Sequence, residues 1–373
     1  MASALVSVVI DNFNYGRFLG DAIDSALAQT HEPLEVVVVD DGSTDDSRAV
    51  IERYGARVVP VLKENGGQGS AVNAGFAAGS GDVVLFLDAD DLLAPTAAER
   101  AAAALAAPGA AKAHWPLRIV DERGGDTGRV RPNGPLAGGE LRALLARDGP
   151  DSYCTPPMSG NAYARRALEA ILPMEERHYR RFADGYLSAL APLEGAVVVV
   201  EEPQGSYRTH DEGHSRGQFE RVLEEGVAYF EALAPALERA CRRAGVEPDV
   251  GRWRRRSFYP RVAATVEELE RIVTPGTPFV LIDDGVFGME SSERHRALPL
   301  VERDGVDWGP PSDDDAAIEA LQRRLADGAE LVAFGWSAFW WRDAYAGFDR
   351  YLSEHFERVA DDDLLVAYDV RDG

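Results

Sequence analysis

Over the first ninety residues, short apolar runs alternate with segments whose apolar residues recur at helical spacing. Leu5–Ile10, Leu34–Val39, Val58–Leu62 and Val83–Leu87 are rich in β-branched residues and read as buried strands. Between them Phe18, Leu19, Ala22, Ile23, Ala26 and Leu27 mark one helix face. Thr44 or Asp45 caps a second helix running to Tyr54, and Gln68–Ala78 is a third, built of small residues. Such alternation predicts a parallel sheet covered on both faces. In these sheets the ligand crevice lies outside the carboxyl ends of the strands. Acidic residues gather at those ends: Asp11, Asp40, Asp41, Asp88, Asp90 and Asp91.

Beyond Pro95 come an alanine-rich helix, Thr96–Ala107, and a weakly periodic Gly/Pro-rich stretch to Pro157, read in part as a mobile loop. Arg165–Leu172 and Arg181–Leu190 read as helices and Ala196–Val200 as a strand. From Gln218 to about Val273 the chain is helical and highly charged, with a break near Pro248. Pro275-Gly276 marks a boundary. After it, strands at Phe279–Asp283, Leu331–Phe334 and Leu364–Tyr368 and helices at about Asp315–Ala326 and Ala344–Glu357 form a second, small α/β unit. The expected organisation is an α/β domain over 1–216, a helical connector over 217–273 and a small C-terminal α/β domain over 274–373.

The charge balance narrows the functions. Lys+Arg 39 against Asp+Glu 63 leaves a net charge of −24 over 373 residues, so a nucleic-acid partner is not expected. Docking to anionic lipid through broad surface charge is equally disfavoured. Lys63 and Lys112 are the only lysines, which reads as coding bias. Two distant cysteines, Cys154 and Cys241, exclude a disulfide framework and point to a reduced compartment. No signal peptide or transmembrane stretch is evident, so the expected location is cytoplasmic.

Candidate chemistry concentrates in Asp88-Ala89-Asp90-Asp91, directly after the apolar run Val83–Leu87. Alternate residues of an extended strand end point the same way, so Asp88 and Asp90 project together. Carboxylates this close repel one another and stay ionised cheaply only around a cation. Hard oxygen ligands suit Mg²⁺ or Mn²⁺, which commonly bridge to phosphates. The run Gly66-Gly67-Gln68-Gly69-Ser70 opens a helix, where backbone N–H groups favour an anion, although a tight loop alone explains the glycines as well.

Five blocks in order resemble family-2 glycosyltransferases of the GT-A (nucleotide-diphospho-sugar transferase, Rossmann-like) fold. They are Val6–Ile10 with Asn12-Phe13-Asn14-Tyr15; Asp24–Thr30; Val39–Asp45; Asn65–Phe76; and Phe86–Asp91. The resemblance makes 1–216 a GT-A catalytic domain and implies a nucleotide-diphosphate sugar donor, a UDP-sugar first among them, with Mn²⁺ or Mg²⁺. It implies that Asp41 contacts the nucleobase and Phe13 stacks on it. Asp11 stands among the nucleotide contacts, where Pro or Thr is common in the family. Gln68 falls on the phosphate side, Asp88 faces the sugar and ribose, and Asp90 ligates the metal. Asp184 matches the base beneath the acceptor site; Glu175 and Glu176 are weaker candidates, and a helix cap is the bland reading of Asp184. Ser206–Ser215 resembles the segment that ends such domains, so His210, ahead of His214, would complete the metal shell and Arg208 would meet the diphosphate. Ser159-Gly160-Asn161 resembles a segment bordering the donor sugar.

The implied reaction is metal-dependent, inverting transfer to a hydroxyl acceptor, which could be a glycan, a lipid-linked molecule or a small molecule. A sugar-1-phosphate nucleotidyltransferase and a non-catalytic nucleotide-sugar-binding scaffold are the alternatives. The former lacks its Lys/Arg-bearing Gly-rich loop, since Asp11–Arg17 is not one. Two further features read as structural. Arg252-Trp253-Arg254-Arg255-Arg256 should pair with acidic helix faces, and the aromatic run Phe334–Trp341 should pack a core or an interdomain surface, with sugar stacking or self-association as the other readings. Together the charged helices and the aromatic tail are compatible with a homodimer.

Overall fold

A computed structural model describes residues 3–210, 219–289, 292, 294–303 and 306–371. Tertiary contacts divide the chain into two compact units, Met1–Gly213 with Ala228–Ser257, and His214–Val227 with Phe258–Gly373. His214 itself lies outside the described residues.

The first unit opens with the alternation expected from the apolar pattern: β1 (Val6–Asn12), α1 (Gly16–Leu27), β2 (Leu34–Asp40), α2 (Ser47–Tyr54), β3 (Val59–Leu62), α3 (Gln68–Ala78) and β4 (Val83–Asp88). There follow β5 (Leu92–Leu93), α4 (Ala97–Leu105), β6 (Ala110–His114), β7 (Leu117–Val120), β8 (Asp126–Arg131), α5 (Arg142–Asp148), β9 (Asn161–Ala164), α6 (Arg165–Glu169), α7 (Ala183–Leu190), β10 (Ala196–Val199) and β11 (Gly205–Arg208). Seven strands form one sheet in the order β10-β6-β9-β4-β1-β2-β3. The sheet is mixed rather than wholly parallel, because β9 runs antiparallel to both β4 and β6. Neither β6 (Ala-Ala-Lys-Ala-His) nor β9 (Asn-Ala-Tyr-Ala) carries the β-branched signature of a strand, and alanine runs read as helix. Much of the stretch expected as loop is likewise ordered: β7 and β8 pair, and with β5 and β11 they make a small second sheet.

Alternation along the strands supplies two cores. Val8, Ile10, Val38 and Leu87 face Leu19 and Ile23 of α1, while Val9, Val37, Val39 and Phe86 face the other side. There they meet Val72 of α3 and Leu187 of α7, together with Leu233 and Leu237 from α8 (Phe219–Arg243). α9 (Val250–Arg256) carries the basic run. Its Trp253 is buried and donates Nε1–H to Ala146 O at 2.9 Å, while Arg252 reaches Asp148 at 2.6 Å and Arg254 pairs with Glu231. The arginines thus meet acidic partners within the same unit.

In the second unit, α10 (Phe258–Ile272) precedes β12 (Pro278–Ile282), β13 (Arg296–Leu298), the hairpin β14 (Glu302–Arg303) and β15 (Val306–Asp307), α11 (Asp314–Ala326), β16 (Leu331–Gly335), α12 (Trp340–Ala344), α13 (Ala346–His355), β17 (Glu357–Asp361) and β18 (Leu365–Asp369). Its five-stranded sheet has the order β13-β12-β16-β18-β17. In the aromatic run, Phe334 and Trp341 are core residues, whereas Trp340 is 46% exposed. Both cysteines are free, and among the described residues no helix is long and apolar enough to cross a membrane.

One close approach seats α3 against β1. A Cβ on Gly75 of α3 would stand 2.2 Å from Val9 Cγ1, so only glycine lets α3 lie this near β1. Gly75→Ala is therefore expected to destabilise the first unit by about 1–3 kcal/mol through overpacking. Urea unfolding checks this, and Val9→Ala in the same chain should restore part of the loss.

Candidate active site

Pairing register brings the acidic strand ends level. Asp11 of β1 lies opposite Asp88 of β4, and Asn12 lies opposite Asp40 of β2. Just past β4 the chain turns tightly: Ala89 N donates to Asp11 O at 3.2 Å and Asp91 N to Asp88 O at 3.0 Å. Asp91, 1% exposed, anchors this turn. It accepts from Ser159 Oγ at 2.7 Å and from Arg208 N at 2.9 Å, and Ser159 Oγ accepts in turn from Asp88 N at 3.1 Å. Asp88 and Asp90 are thereby fixed by main-chain and buried contacts before any ligand arrives.

His210 Nε2 lies 3.0 Å from Asp90 Oδ2, and the imidazole rests against Phe18 and Tyr15 at centroid distances of 5.0 and 5.5 Å. The expected pairing of these two residues is therefore present in space. Arg208 is placed differently. Its guanidinium is buried instead of facing a diphosphate, with Nε donating to Asp90 O at 2.9 Å, Nη1 to Glu122 O at 2.8 Å and Nη2 to Asp21 Oδ2 at 3.0 Å. Stacked on Phe18 at 4.8 Å, it clamps the Asp90 main chain.

Asp41 and the glycine-rich run also differ from expectation. Asp41 Oδ1 accepts from Lys63 Nζ at 2.6 Å and Gly66 N at 2.9 Å; Oδ2 accepts from Gly67 N at 2.7 Å and Asn65 Nδ2 at 3.1 Å. All four lone-pair positions of the carboxylate are filled, so nothing is left for a nucleobase N–H without a rearrangement. The N–H groups of Gln68 and Gly69 go to Arg180 O and Tyr179 O, at 3.0 and 2.7 Å. Four successive N–H groups expected to face phosphate are thus spent inside the protein. Gln68 Oε1 instead accepts from Ala183 N at 3.1 Å, capping the first turn of α7.

That turn carries Asp184. Phe182, just before α7, has φ 63°, the left-handed conformation that costs a bulky residue energy, and its ring lies 5.2 Å from Tyr229. Asp184 Oδ1 accepts from Gly185 N at 2.9 Å. Glu176 is taken by Ser70 Oγ at 2.7 Å, and Glu175 pairs with Arg177 at the surface. Phe13 is half-buried in the turn after β1.

Electrostatics unites the acids drawn from β1, β4 and α7. Burial, then Asp90, Asp184 and Asp41, pushes the Asp11 carboxyl up to about 7, and Asp11 Oδ1 is buried without a partner. Asp88 is held well above the carboxylate range by burial and by Asp11, Asp91, Asp90 and Asp184, while Asp184 is raised by burial. Among the described residues no group of three or more His, Cys, Asp or Glu is arranged to hold an ion alone. Asp90 and His210 offer two donors, an incomplete shell of the kind that Mg²⁺ or Mn²⁺ completes with waters and substrate phosphates.

Two residues at the site gave no chemical signal in the sequence. They are the chain's only lysines: Lys63 neutralises Asp41, and Lys112 is buried beneath α7, bonded to Ser188 at 3.2 Å.

Residues 7–169 match the family model described as glycosyl transferase family 2. An uncharacterized glycosyltransferase of Nostoc sp. is 38% identical over 209 residues, 55% of this chain and 65% of that protein. An uncharacterized glycosyltransferase of Rickettsia prowazekii is 41% identical over 97 residues, 26% of this chain and 30% of that protein. The chain thus spans less than two thirds of the length of either relative. Among solved structures, S. aureus TarS 1-349 in complex with UDP-GlcNAc aligns with a TM-score of 0.47 at 20% identity, covering 72% of this chain and 91% of that one.

The raised acid gives a pH signature. A carboxyl with an ordinary value of 3.8 unfolded and about 7 folded stabilises the fold fully below pH 3.8 and loses that contribution as pH rises through about 7. In chelator, Asp11→Asn should therefore gain thermal stability over the parent progressively from about pH 4 to 7. A melting-temperature difference that stays constant across that range would contradict the cause assigned.

Proposed function

We propose that this chain, whose residues 7–169 match the glycosyl transferase family 2 model, is a metal-dependent, inverting glycosyltransferase. It would move a sugar from a nucleotide diphosphate, a UDP-sugar first among them, to a hydroxyl acceptor. The observation that supports this reading is the electrostatic coupling of Asp11, Asp88, Asp90 and Asp184, drawn from three separate segments, at the strand ends. Asp90 and His210 are the residues that would hold the cation, and Arg208 keeps the Asp90 main chain in register. When bound, a divalent cation supplies Lewis-acid stabilisation of the departing diphosphate. Asp11, with its unpartnered oxygen, and Phe13 border the nucleotide; Asp88 borders the sugar. Asp41 and Gln68 shape the loop that positions α7.

Asp184 serves as general base. It takes the proton of the acceptor hydroxyl while that oxygen bonds to the anomeric carbon from the face opposite the leaving group. The bond from the anomeric carbon to the phosphate oxygen breaks with its electron pair going to the diphosphate. A carboxylate raised by burial is a better proton acceptor than an exposed one, provided it is ionised at the working pH.

Donors are identified by a thermal-shift screen of nucleotide sugars with Mn²⁺, followed by release of free nucleotide diphosphate. Asp184→Asn should lower transfer by about 10²-fold or more while nucleotide affinity by calorimetry stays unchanged. A variant that turns over normally removes Asp184 from the role. Asp90→Ala should abolish the difference in donor affinity between Mn²⁺ and chelator; an undiminished difference would place the cation elsewhere.

A further inference from the structure

Lys112 stands in the middle of β6 with no exposed surface. Its Nζ donates to Thr155 Oγ1 at 2.8 Å, Tyr153 Oη at 3.0 Å and Ser188 Oγ at 3.2 Å. Tyr153 spends its own proton on Ser188 O at 2.6 Å, so its oxygen is free to accept. Three acceptors for three N–H groups is the requirement of an ammonium. Yet every acceptor is neutral, and among the described residues no carboxylate lies within ion-pair distance of Lys112. Burying an ammonium without an adjacent anion is costly, and an apolar side chain would avoid that cost.

The anion it answers is one helical turn away. Ser188 and Asp184 are four residues apart on α7 and share a face, so the lysine bound to Ser188 lies under Asp184. Lys112 is the foremost of the cations that lower the Asp184 carboxyl, ahead of Arg131 on the exposed strand β8. The groups facing Lys112 from its other neighbours carry no charge near neutral pH. Burial holds His114, on β6 itself, down to about 3 and pushes Tyr153 and Tyr163 of β9 upward; the β10 residue opposite is Val197. Lys112 itself is lowered by burial to about 7.

We propose that Lys112 is a positioning residue for Asp184, its ammonium fixed behind α7 so that the carboxylate is ionised and aimed when the acceptor hydroxyl arrives. The proposal rests on the reading of Asp184 as the base. It assigns a role to a residue that touches neither substrate nor cation.

The test is the pH profile of kcat/KM for the full chain with donor and Mn²⁺, comparing the parent with Lys112→Met. Removing the positive charge raises the Asp184 carboxyl, so the acid limb should move to higher pH by about one pH unit. Activity would then be about tenfold lower on that limb and converge with the parent at alkaline pH, where Lys112 loses its own proton. Donor affinity by calorimetry should not change. Lys112→Gln, which keeps an amide donor for the hydroxyls but no charge, carries the same expectation if the methionine variant does not fold. An acid limb that coincides with the parent's overturns the proposal, as does a uniform loss at every pH, the mark of a purely structural lysine. Asp184→Asn run in parallel separates the two readings. If it is inactive and the acid limb of Lys112→Met is unmoved, only the lysine proposal fails; if it is as active as the parent, the base assignment fails and the lysine proposal falls with it.

Discussion

Negative charges crowded at the ends of β1 and β4 repel one another, and the surrounding chain is organised to hold them together despite that repulsion. The register pairs Asp11 with Asp88, the turn after β4 is pinned by main-chain bonds, and Asp91 is locked between Ser159 and Arg208. Each device costs conformational freedom and returns no apolar burial of its own. Their joint effect is an unrelaxed concentration of carboxylate, which with burial raises the Asp11 and Asp88 carboxyls above the ordinary range. A site arranged in this way gains most from a cation joined to an anionic substrate.

Around that centre the fixed positive charges are few and each has a defined station. Lys63 meets Asp41, Arg208 meets Asp21 and the Asp90 carbonyl, and Lys112 lies behind α7. None of the three forms an ion pair with Asp11, Asp88 or Asp184 among the described residues. Asp41, by gathering Lys63 and the N–H groups of Gly66 and Gly67, turns the glycine-rich run into a scaffold that reaches α7 through Gln68. The end of β2 and the first turn of α7 are thus joined through one loop.

The ends of β1, β2 and β4 were legible in the sequence because three of the four apolar runs stop at an aspartate, and burial of Val6–Ile10 or Val83–Leu87 leaves that aspartate at the strand end. The helix start that carries Asp184 was legible from its block. What the sequence did not disclose is which lone pairs and N–H groups the protein consumes for itself. The bonds between Asp41 and residues 63–67, and between Gln68 and Ala183, join segments that no local pattern links. Arg208 looks like a cation awaiting phosphate until three protein oxygens are seen to claim it. β9 escaped notice because Asn-Ala-Tyr-Ala is too short and too poor in β-branched residues to announce a strand, although it separates β4 from β6.

A divalent cation held at Asp90 would stand beside the raised carboxyls of Asp11 and Asp88 and lower both, so its entry must expel protons from them. Calorimetric titration of the protein with Mn²⁺ and UDP near pH 6, repeated in buffers of different ionisation enthalpy, measures that exchange directly. The account predicts net proton release, larger at pH 6 than at pH 8, when the ion and the nucleotide enter together. Binding with no proton released at either pH would show that the cation does not enter beside Asp11 and Asp88.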